Sequence, residues 1–354
     1  MYAQREIAYV QDDEKKRSKL FWEIFFFRCI TMAISIIAFY FTYASHGEYQ
    51  LYYKILIIQL FANVLDISWF FQGLEEFKKT VTRNLLVKIL SVISIFIFVK
   101  SSDDTVIYAL IIALSSFIGN LTFWLYIPKI IGFKNIKILE LTLHLKSSLA
   151  LFIPQLAIQI YLLLDRTMLG IITDTVQVGY YENSQKIVKI VLTIATAIGT
   201  VMMPKIANTV ASGDMKKVKY YIKNSFFFVS ALSIPLMFGL MGVAPELSPW
   251  FFGNNFVGIE KLIIISSLII LAISWSNVLG MQLLVPLNKT KEFTISVTSG
   301  AIINFILNLV LIKKFGAIGS CISTIIAEFT VTLVQFYLIK DFIKAKELIK
   351  PVVL

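Results

Sequence analysis

Residues 147–170 read SSLALFIPQLAIQIYLLLDRTMLG, an apolar run whose only charged residues are the adjacent pair Asp165 and Arg166. A helix over this run would be roughly 36 Å long at about 1.5 Å per residue, which is enough to cross the hydrocarbon core of a bilayer. The run therefore predicts a transmembrane helix. Because a charge inside hydrocarbon costs about 3 kcal/mol or more, both charged residues need partners or a function.

The composition of the whole chain is typical of a membrane protein. Of its 354 residues, 57% are hydrophobic and only 16% are charged, and the mean hydropathy is +0.78. A soluble protein of this length exposes more polar surface than that composition supplies. Its two cysteines, Cys29 and Cys321, and its two histidines, His46 and His144, are widely separated. We therefore expect no disulfide framework, no metal site and no cofactor.

Apolar runs long enough to span a bilayer recur along the chain. Most of them are interrupted by Gly, Ser, Asn or Pro, as is usual where membrane helices pack against one another. The sequence therefore predicts an all-α polytopic membrane protein with about ten transmembrane helices. They are expected near 21–43, 51–73, 84–99, 105–128, 147–170, 187–206, 222–243, 258–286, 293–312 and 315–340.

The loops between these runs alternate in charge. Residues 1–20, 74–83, 129–146, 205–223, 288–292 and 340–354 together hold 23 of the 33 Lys and Arg residues, whereas the opposite set of loops holds 5. By the positive-inside rule we expect both termini in the cytoplasm. Since the net charge of +11 is largely this signal, binding to nucleic acid is not expected.

No catalytic pattern is visible in the sequence. There is no P-loop, metal-binding helix or catalytic triad, and no predicted outer loop is long enough to build a large active site. We therefore do not expect an enzyme, although a membrane polymerase or ligase is kept as an alternative.

Two halves of the chain resemble each other. Glu6-Ile-Ala8 is echoed by Lys205-Ile-Ala207, and Leu65-Asp-Ile-Ser-Trp69 by Leu271-Ala-Ile-Ser-Trp275. Both halves would enter the membrane in the same direction, as in transporters built from parallel repeats. We expect an N-terminal lobe of four helices over 1–146 and a C-terminal lobe of six over 147–354. By that symmetry, two helices at the start of the first lobe are expected to be missing.

Five ordered motifs make the resemblance to a family specific. They are Arg5-Glu-Ile-Ala8, Trp69-Phe-Phe-Gln-Gly-Leu-Glu75, Leu164-Asp-Arg-Thr-Met-Leu-Gly170, Val178-Gly-Tyr-Tyr-Glu-Asn183 and Met203-Pro-Lys-Ile206. From residue 1 to about 340, the chain resembles the Wzx-type polysaccharide repeat-unit flippases of the multidrug/oligosaccharidyl-lipid/polysaccharide exporter superfamily. The resemblance implies twelve helices in two lobes and the transfer of undecaprenyl-pyrophosphate-linked oligosaccharides from the cytoplasmic to the outer leaflet.

Such a substrate needs a polar cavity with cations that hold phosphate oxygens. Helical spacing places polar side chains in single stripes on four of the predicted helices. We expect these stripes to line a shared cavity, the alternative being hydrogen bonds between helices. The stripes are Gln59, Asn63 and Asp66; Gln155, Gln159 and Arg166; Gly300, Asn304 and Asn308; and Ser320, Thr324 and Glu328.

The charged residues receive separate predictions. Arg28 and Asp66 lie at equal depth on neighbouring helices, so an ion pair between them is expected, and Arg28 and Arg166 are the candidate substrate cations. Asp66 and Glu328 are the candidate sites for a coupling ion. Asp165 is interpreted as structural, with Lys189 as its expected partner.

The resulting hypothesis is a flippase of the bacterial inner membrane that works by alternating access for capsule, O-antigen or other surface polysaccharide. Expected partners are the lipid-linked oligosaccharide, the bilayer, a polysaccharide polymerase and glycosyltransferases. The alternatives are a multidrug or cation exporter of the same superfamily and an inactive truncated flippase.

Overall fold

The computed structural model describes residues 2–45, 49–101, 104–132, 141–253 and 256–349. These residues form helices joined by turns, and none of them lies in a β-strand. The chain divides into two compact units, unit 1 over Met1–Ser147 and unit 2 over Ser148–Leu354. His46, considered in the sequence analysis, lies outside the described residues.

Unit 1 contains six helices before the one that reaches the boundary. Asp13 caps the second of them by accepting hydrogen bonds from the backbone N–H groups of Lys15 and Lys16, which satisfies donors that a helix start leaves free. The six helices are α1 (Tyr2–Tyr9), α2 (Glu14–Phe39), α3 (Gln50–Leu65), α4 (Ser68–Gly73), α5 (Phe77–Phe98) and α6 (Thr105–Trp124).

Unit 2 is built from longer helices, and a π-helical segment at Asn277–Leu284 follows the fifth of them. The boundary between the units falls within the first two turns of α7. The helices are α7 (Leu141–Ile172), α8 (Thr175–Ala211), α9 (Met215–Phe252), α10 (Ile259–Ser266), α11 (Leu268–Ser276), α12 (Thr290–Phe315), α13 (Ala317–Ile339) and α14 (Ala345–Ile349).

The predicted fold class is confirmed. Within the described residues, ten helical stretches are long and apolar enough to cross a membrane, in the order that the hydropathy predicted. Several helices extend beyond the predicted spans. The span predicted over 187–206 belongs to a helix over Thr175–Ala211, and the span predicted over 222–243 belongs to a helix over Met215–Phe252. These extensions carry polar residues that a hydropathy window excludes although they continue the helix.

The sequence indicated one continuous helix for the second span, but the structure shows two. The span breaks between α3 and α4, where Asp66 adopts an extended conformation. The carboxylate of Asp66 accepts a hydrogen bond of 2.9 Å from the backbone N–H of Ser68. This is the local side-chain bond with which Asp competes against helical hydrogen bonding.

An aromatic core holds unit 1 together. Phe21 of α2 lies against Trp69 and Phe70 of α4, with ring centroids 5.6 Å and 4.9 Å away. Phe71 stacks on Phe123 of α6 at 5.2 Å. All but Trp69, which is 8% exposed, are completely buried. Because such rings bury large apolar areas, this cluster fixes α2, α4 and α6 relative to one another.

Unit 2 contains a similar pair of rings. Phe226 of α9 stacks on Trp275 of α11 with a centroid distance of 5.4 Å and an interplanar angle of 28°, whereas the corresponding angle between Phe21 and Trp69 is 25°. The two phenylalanines are 205 positions apart and the two tryptophans 206. The Trp of each echoed Ile-Ser-Trp motif therefore makes the same kind of contact inside its own unit.

The closest packing in unit 2 joins α12 to α13. Gly316 alone connects the two helices and has a φ of +56°, a conformation that glycine adopts without steric cost. One turn later, a Cβ on Gly319 would collide with the main-chain oxygen of Leu311. The two backbones can approach this closely only because position 319 has no side chain, as at other packed membrane helices.

We expect Gly319→Ala to destabilise the protein. The added methyl group must push α13 away from α12, and overpacking of this kind costs about 1–3 kcal/mol. The midpoint of thermal unfolding in detergent should therefore fall.

Gly239→Ala is the matched control, because a Cβ at Gly239 of α9 meets no atom within 4 Å. There, helix propensity favours Ala by up to about 1 kcal/mol, so the midpoint should stay or rise. Equal midpoints for the two variants would show that α12 and α13 are not in backbone contact at Gly319.

Candidate functional site

A buried carboxylate lies at the centre of a polar cluster in unit 2. Asp165 of α7 is completely buried and is hydrogen-bonded by three other helices. Tyr181 Oη of α8 donates to Oδ2 at 2.9 Å, Asn308 Nδ2 of α12 donates to Oδ1 at 2.6 Å, and Thr324 Oγ1 of α13 donates to Oδ2 at 2.9 Å. Four helices therefore meet at one side chain.

The sequence places these partners by helical spacing. Asn304 and Asn308 are one turn apart on α12, and Ser320 and Thr324 are one turn apart on α13, so that each pair shares a helix face. Asn308 Nδ2 also donates to Asn304 Oδ1 at 3.1 Å. The two predicted polar stripes on these helices thus converge, and the group they surround is Asp165.

Three buried polar atoms near the carboxylate have no hydrogen-bond partner. Asn304 Nδ2, Asn308 Oδ1 and Ser320 Oγ lack a hydrogen bond to any residue that the structure describes, and all three residues are completely buried. An unsatisfied buried polar atom costs about 1–3 kcal/mol. Such a cost is understandable where a ligand contributes the missing interaction.

The electrostatics of the cluster leave the negative charge uncompensated. Among the described residues, Asp165 has no Lys, Arg or His within ion-pair distance, and its hydrogen-bond donors are an amide and two hydroxyl groups. Tyr181, which donates to the carboxylate, also belongs to an apolar cluster with Met168, Leu169 and Ile312. Because an isolated charge is costly there, a proton or a monovalent cation would be bound readily. Asp165, Asn308 and Thr324 could supply the oxygen ligands.

The prediction for Asp165 was therefore partly wrong. Lys189 lies beyond ion-pair distance of Asp165, although the two charges still interact. The carboxylate is enclosed by side chains of α8, α12 and α13 rather than held at a helix end. On α7, Gln155, Gln159 and Arg166 share a helix face that does not include Asp165. Helical periodicity therefore predicted a site on that face and not at Asp165. Two features of the sequence could have identified the Asp165 cluster. Asp165 is a lone acid in its span, and two other spans each carry a pair of small polar residues one turn apart.

Arg166 faces a different partner. Its Nε lies 2.7 Å from Oε1 of Glu182 on α8, with the two side chains 42% and 28% exposed. This ion pair joins α7 to α8 and leaves part of the guanidinium accessible. Gln155 is half-buried and Gln159 is exposed, which is compatible with contacts to a ligand.

The expected ion pair between Arg28 and Asp66 is not formed. Arg28 instead donates to two main-chain oxygens, to that of Asp66 at 2.7 Å from Nη1 and to that of Asn63 from Nη2. These carbonyls lie at the end of α3, where the helix break leaves them without helical partners. Arg28 thus caps the broken end of α3. Gln59, half-buried on the same helix, makes none of the hydrogen bonds to Arg28 observed among the described residues.

Arg83 was assigned to a loop by its charge but lies in α5. Its Nε donates to the main-chain oxygen of Gly119 at 2.6 Å and its Nη2 to Asn120 Oδ1 of α6. Asn120 Nδ2 then donates at 2.6 Å to the main-chain oxygen of Ala62. This network ties α5, α6 and α3 together inside unit 1.

His144 was interpreted as part of a loop but lies in the first turn of α7 and is 2% exposed. Its Nδ1 is 2.7 Å from the hydroxyl of Tyr2 and its Nε2 is 3.3 Å from Oε2 of Glu23. Burial raises the pKa of Tyr2 to about 12. The two contacts of the imidazole connect α1, α7 and α2.

The remaining ion-coupling candidates differ in environment. Asp66 is half-buried and bonded to its own loop. Glu328 of α13 is 6% exposed and one turn beyond Thr324, so it lies on the same helix face as the Asp165 cluster.

Comparison with known structures shows the fold. The fold matches a multidrug resistance MATE family transporter of the MOP superfamily in its outward-facing conformation, with a TM-score of 0.84, 12% identity, and coverage of 95% of this chain and 81% of that one. It also matches the lipid II flippase MurJ in its inward closed conformation, with a TM-score of 0.62, 18% identity, and coverage of 96% and 79%. The chain therefore has the fold of a multi-pass membrane transporter.

Sequence comparison defines the family. The model described as polysaccharide biosynthesis protein matches residues 1–210, and the chain belongs to this family. A relative from Escherichia coli (strain K12), named as an O-antigen transporter, is 26% identical over 347 residues, which are 96% of this chain and 83% of the relative. A relative of the same name from Shigella dysenteriae is 24% identical over 298 residues, covering 83% and 74%. The resemblance stated from the motifs is confirmed.

We predict that Arg28→Ala reduces stability. Two carbonyl groups at the end of α3 lose their donors, at a cost of about 2 kcal/mol in a half-buried site. The midpoint of thermal unfolding in detergent should fall measurably.

Lys54→Ala provides the control for that substitution, since Lys54 is exposed on the same helix and its removal should leave the midpoint unchanged. If Arg28→Ala were as stable as Lys54→Ala but had lost transport, Arg28 would be a substrate ligand and not a cap.

Proposed function

We propose that this protein flips a lipid-linked oligosaccharide across the bacterial inner membrane for the synthesis of a surface polysaccharide. The lipid carrier is undecaprenyl pyrophosphate, transfer runs from the cytoplasmic to the outer leaflet, and the mechanism is alternating access. Both termini lie in the cytoplasm. Family membership and the two relatives named as O-antigen transporters support this proposal.

The buried Asp165 cluster carries the mechanistic part of the proposal. A flippase without a nucleotide-binding motif needs an ion gradient or the membrane potential as its energy source. Intramembrane acids that lack a basic partner are typical of ion pathways and proton relays. We propose that Asp165 binds the coupling cation, a proton or a monovalent metal ion, and that binding changes how tightly α7 is held to α8, α12 and α13.

The substrate would be bound by polar groups that remain accessible. Arg166 is the candidate for the pyrophosphate or for acidic sugars, because a guanidinium can hold phosphate oxygens through two hydrogen bonds. Gln155 and Gln159 on the same helix, with Gln59 and Asn63 of α3, are the candidates for sugar hydroxyls. Asn304 and Asn308, first predicted as substrate ligands, are reassigned to the cation site because Asn308 donates both to Asp165 and to Asn304.

A multidrug exporter is the second candidate function, because a MATE family transporter has a similar fold. At 12% identity this likeness supports the fold alone. Since Arg166 is the accessible charge near the polar face of α7, an anionic substrate fits better than a cationic drug. A polysaccharide polymerase and glycosyltransferases are the proposed functional partners.

The experiment that tests this function uses proteoliposomes with a fluorescent undecaprenyl-pyrophosphate-linked oligosaccharide. We expect an imposed proton or sodium gradient to accelerate its transfer between leaflets. Asp165→Asn keeps the shape of the side chain and removes its charge, so the acceleration should fall about tenfold or more, within the usual range of coupling energies. The variant should remain folded, because the amide introduced at position 165 can accept from Asn308 through Oδ1 and donate through Nδ2 to the hydroxyl oxygens of Tyr181 and Thr324.

Glu246→Gln is the matched control, since Glu246 is an exposed acid of α9, and it should respond to the gradient like the wild type. A gradient response that survives in Asp165→Asn would remove this residue from the coupling site. Efflux of cationic dyes without any transfer of the lipid-linked oligosaccharide would favour the drug exporter.

A further inference from the structure

A groove between α5 and α6 of unit 1 has no part in the Asp165 cluster. Its volume is about 820 Å³. One end is lined by the cations Lys78, Lys79 and Arg83, whereas the walls along the rest of the groove are mostly apolar. These walls include Leu86, Leu90 and Phe98 of α5 and Ile111, Leu114 and Ile118 of α6.

The sequence opens this groove through small residues on facing helices. Ser94 of α5 and Ser115 and Gly119 of α6 all line it, and the latter two are one turn apart on the same face. The bond from Arg83 to the main-chain oxygen of Gly119 shows that the start of α5 lies beside the end of α6. The two helices are therefore antiparallel, and their polar ends coincide.

The polar end of the groove carries excess positive charge. Lys79 is paired with Glu76, and its ammonium lies 5.3 Å from the ring centroid of Tyr126. Arg83 donates to neutral oxygens, and Lys78 is exposed. Three cations against two acids, Glu76 and Asp66, of which Asp66 interacts with Arg83, leave a net positive site. A phosphate group on a lipid is the complementary ligand, as at other basic sites beside membrane helices.

The length of the groove distinguishes between lipids. From Lys79 to Phe98 the helix advances 19 residues, which is roughly 28 Å and close to the roughly 30 Å thickness of the hydrocarbon core. The acyl chain of a phospholipid reaches only through its own leaflet, about half of that distance. A chain that fills the groove must therefore be longer than an ordinary acyl chain.

We propose that the groove between α5 and α6 binds a polyprenyl phosphate, with its phosphate at Lys78 and Lys79, beside Arg83, and its isoprenoid chain along Leu90 towards Phe98. This inference rests on the proposed function, for which it names the site of the lipid carrier and its phosphate. Arg166 is then left as the candidate for acidic sugars. The carrier then enters unit 1 from the lipid side, while the oligosaccharide is handled elsewhere in the protein.

The test is native mass spectrometry of the full chain in detergent with undecaprenyl phosphate, and with phosphatidylglycerol as the competing lipid. We expect wild-type protein to retain undecaprenyl phosphate in preference to phosphatidylglycerol. The double variant Lys78→Gln, Lys79→Gln should retain it about tenfold less, as expected for the loss of charge-assisted hydrogen bonds. Lys88→Gln, on α5 but outside the groove, should behave as the wild type.

A second pair of variants tests the apolar wall. Leu90→Trp places a bulky ring in the groove and should also reduce retention, whereas Ile89→Trp, at a neighbouring position that does not line the groove, should not. Thermal unfolding of each variant confirms that a loss of lipid is not a loss of fold. Equal retention by Leu90→Trp and Ile89→Trp would contradict the assignment.

Three further outcomes would overturn the proposal. They are unchanged retention by the double lysine variant, equal retention of phosphatidylglycerol, and a lipid-free dimer that buries the groove against a second copy. Since the readout is binding, it is independent of transfer between leaflets. Protein that retains undecaprenyl phosphate at this site but never flips the oligosaccharide would contradict the proposed function and leave the groove assignment standing.

Discussion

A carboxylate inside a bundle of membrane helices has to be hydrogen-bonded, neutralised or both, and unit 2 is organised around this requirement at Asp165. Its partners come from α8, α12 and α13, so the register of four helices is set by one side chain. The close backbone contact at Gly319 brings α12 and α13 near enough for Asn308 and Thr324 to reach the same group. The hydrogen bonds lower the cost of burial but leave a full charge without a cation, which is why binding of a proton or metal ion can be coupled to helix packing.

Unit 1 uses buried positive charge in the opposite way. Arg28 and Arg83 donate to main-chain oxygens at a helix break and at a helix crossing, where they stabilise structure and have few donors left for a ligand. The accessible cations lie elsewhere, at Arg166 in unit 2 and at the end of the α5–α6 groove in unit 1. Cations of this protein therefore divide into those that complete the backbone and those that can bind phosphate.

Much of the fold was predictable because hydrophobic length and charge bias are strong signals in membrane proteins. The ten spans and the polar faces of Asn304 with Asn308 and of Ser320 with Thr324 were read from the sequence. The sequence did not show that both faces contact Asp165, because periodicity gives the polar face of a helix but not the residue that this face contacts. The break at Asp66 lacks the proline or glycine that marks most breaks. Arg83 was placed in a loop because hydropathy alone ends a span at its first charges.

The central claim, that a cation bound at Asp165 drives transfer of the lipid-linked oligosaccharide, is tested most directly by ion flux. Proteoliposomes holding the wild-type protein would be given the lipid-linked oligosaccharide on one side, with proton and sodium movement recorded as transfer proceeds. The account predicts that one of the two ions crosses in step with transfer and that this flux requires the carboxylate at position 165. Transfer at full rate with no accompanying movement of either ion would contradict it.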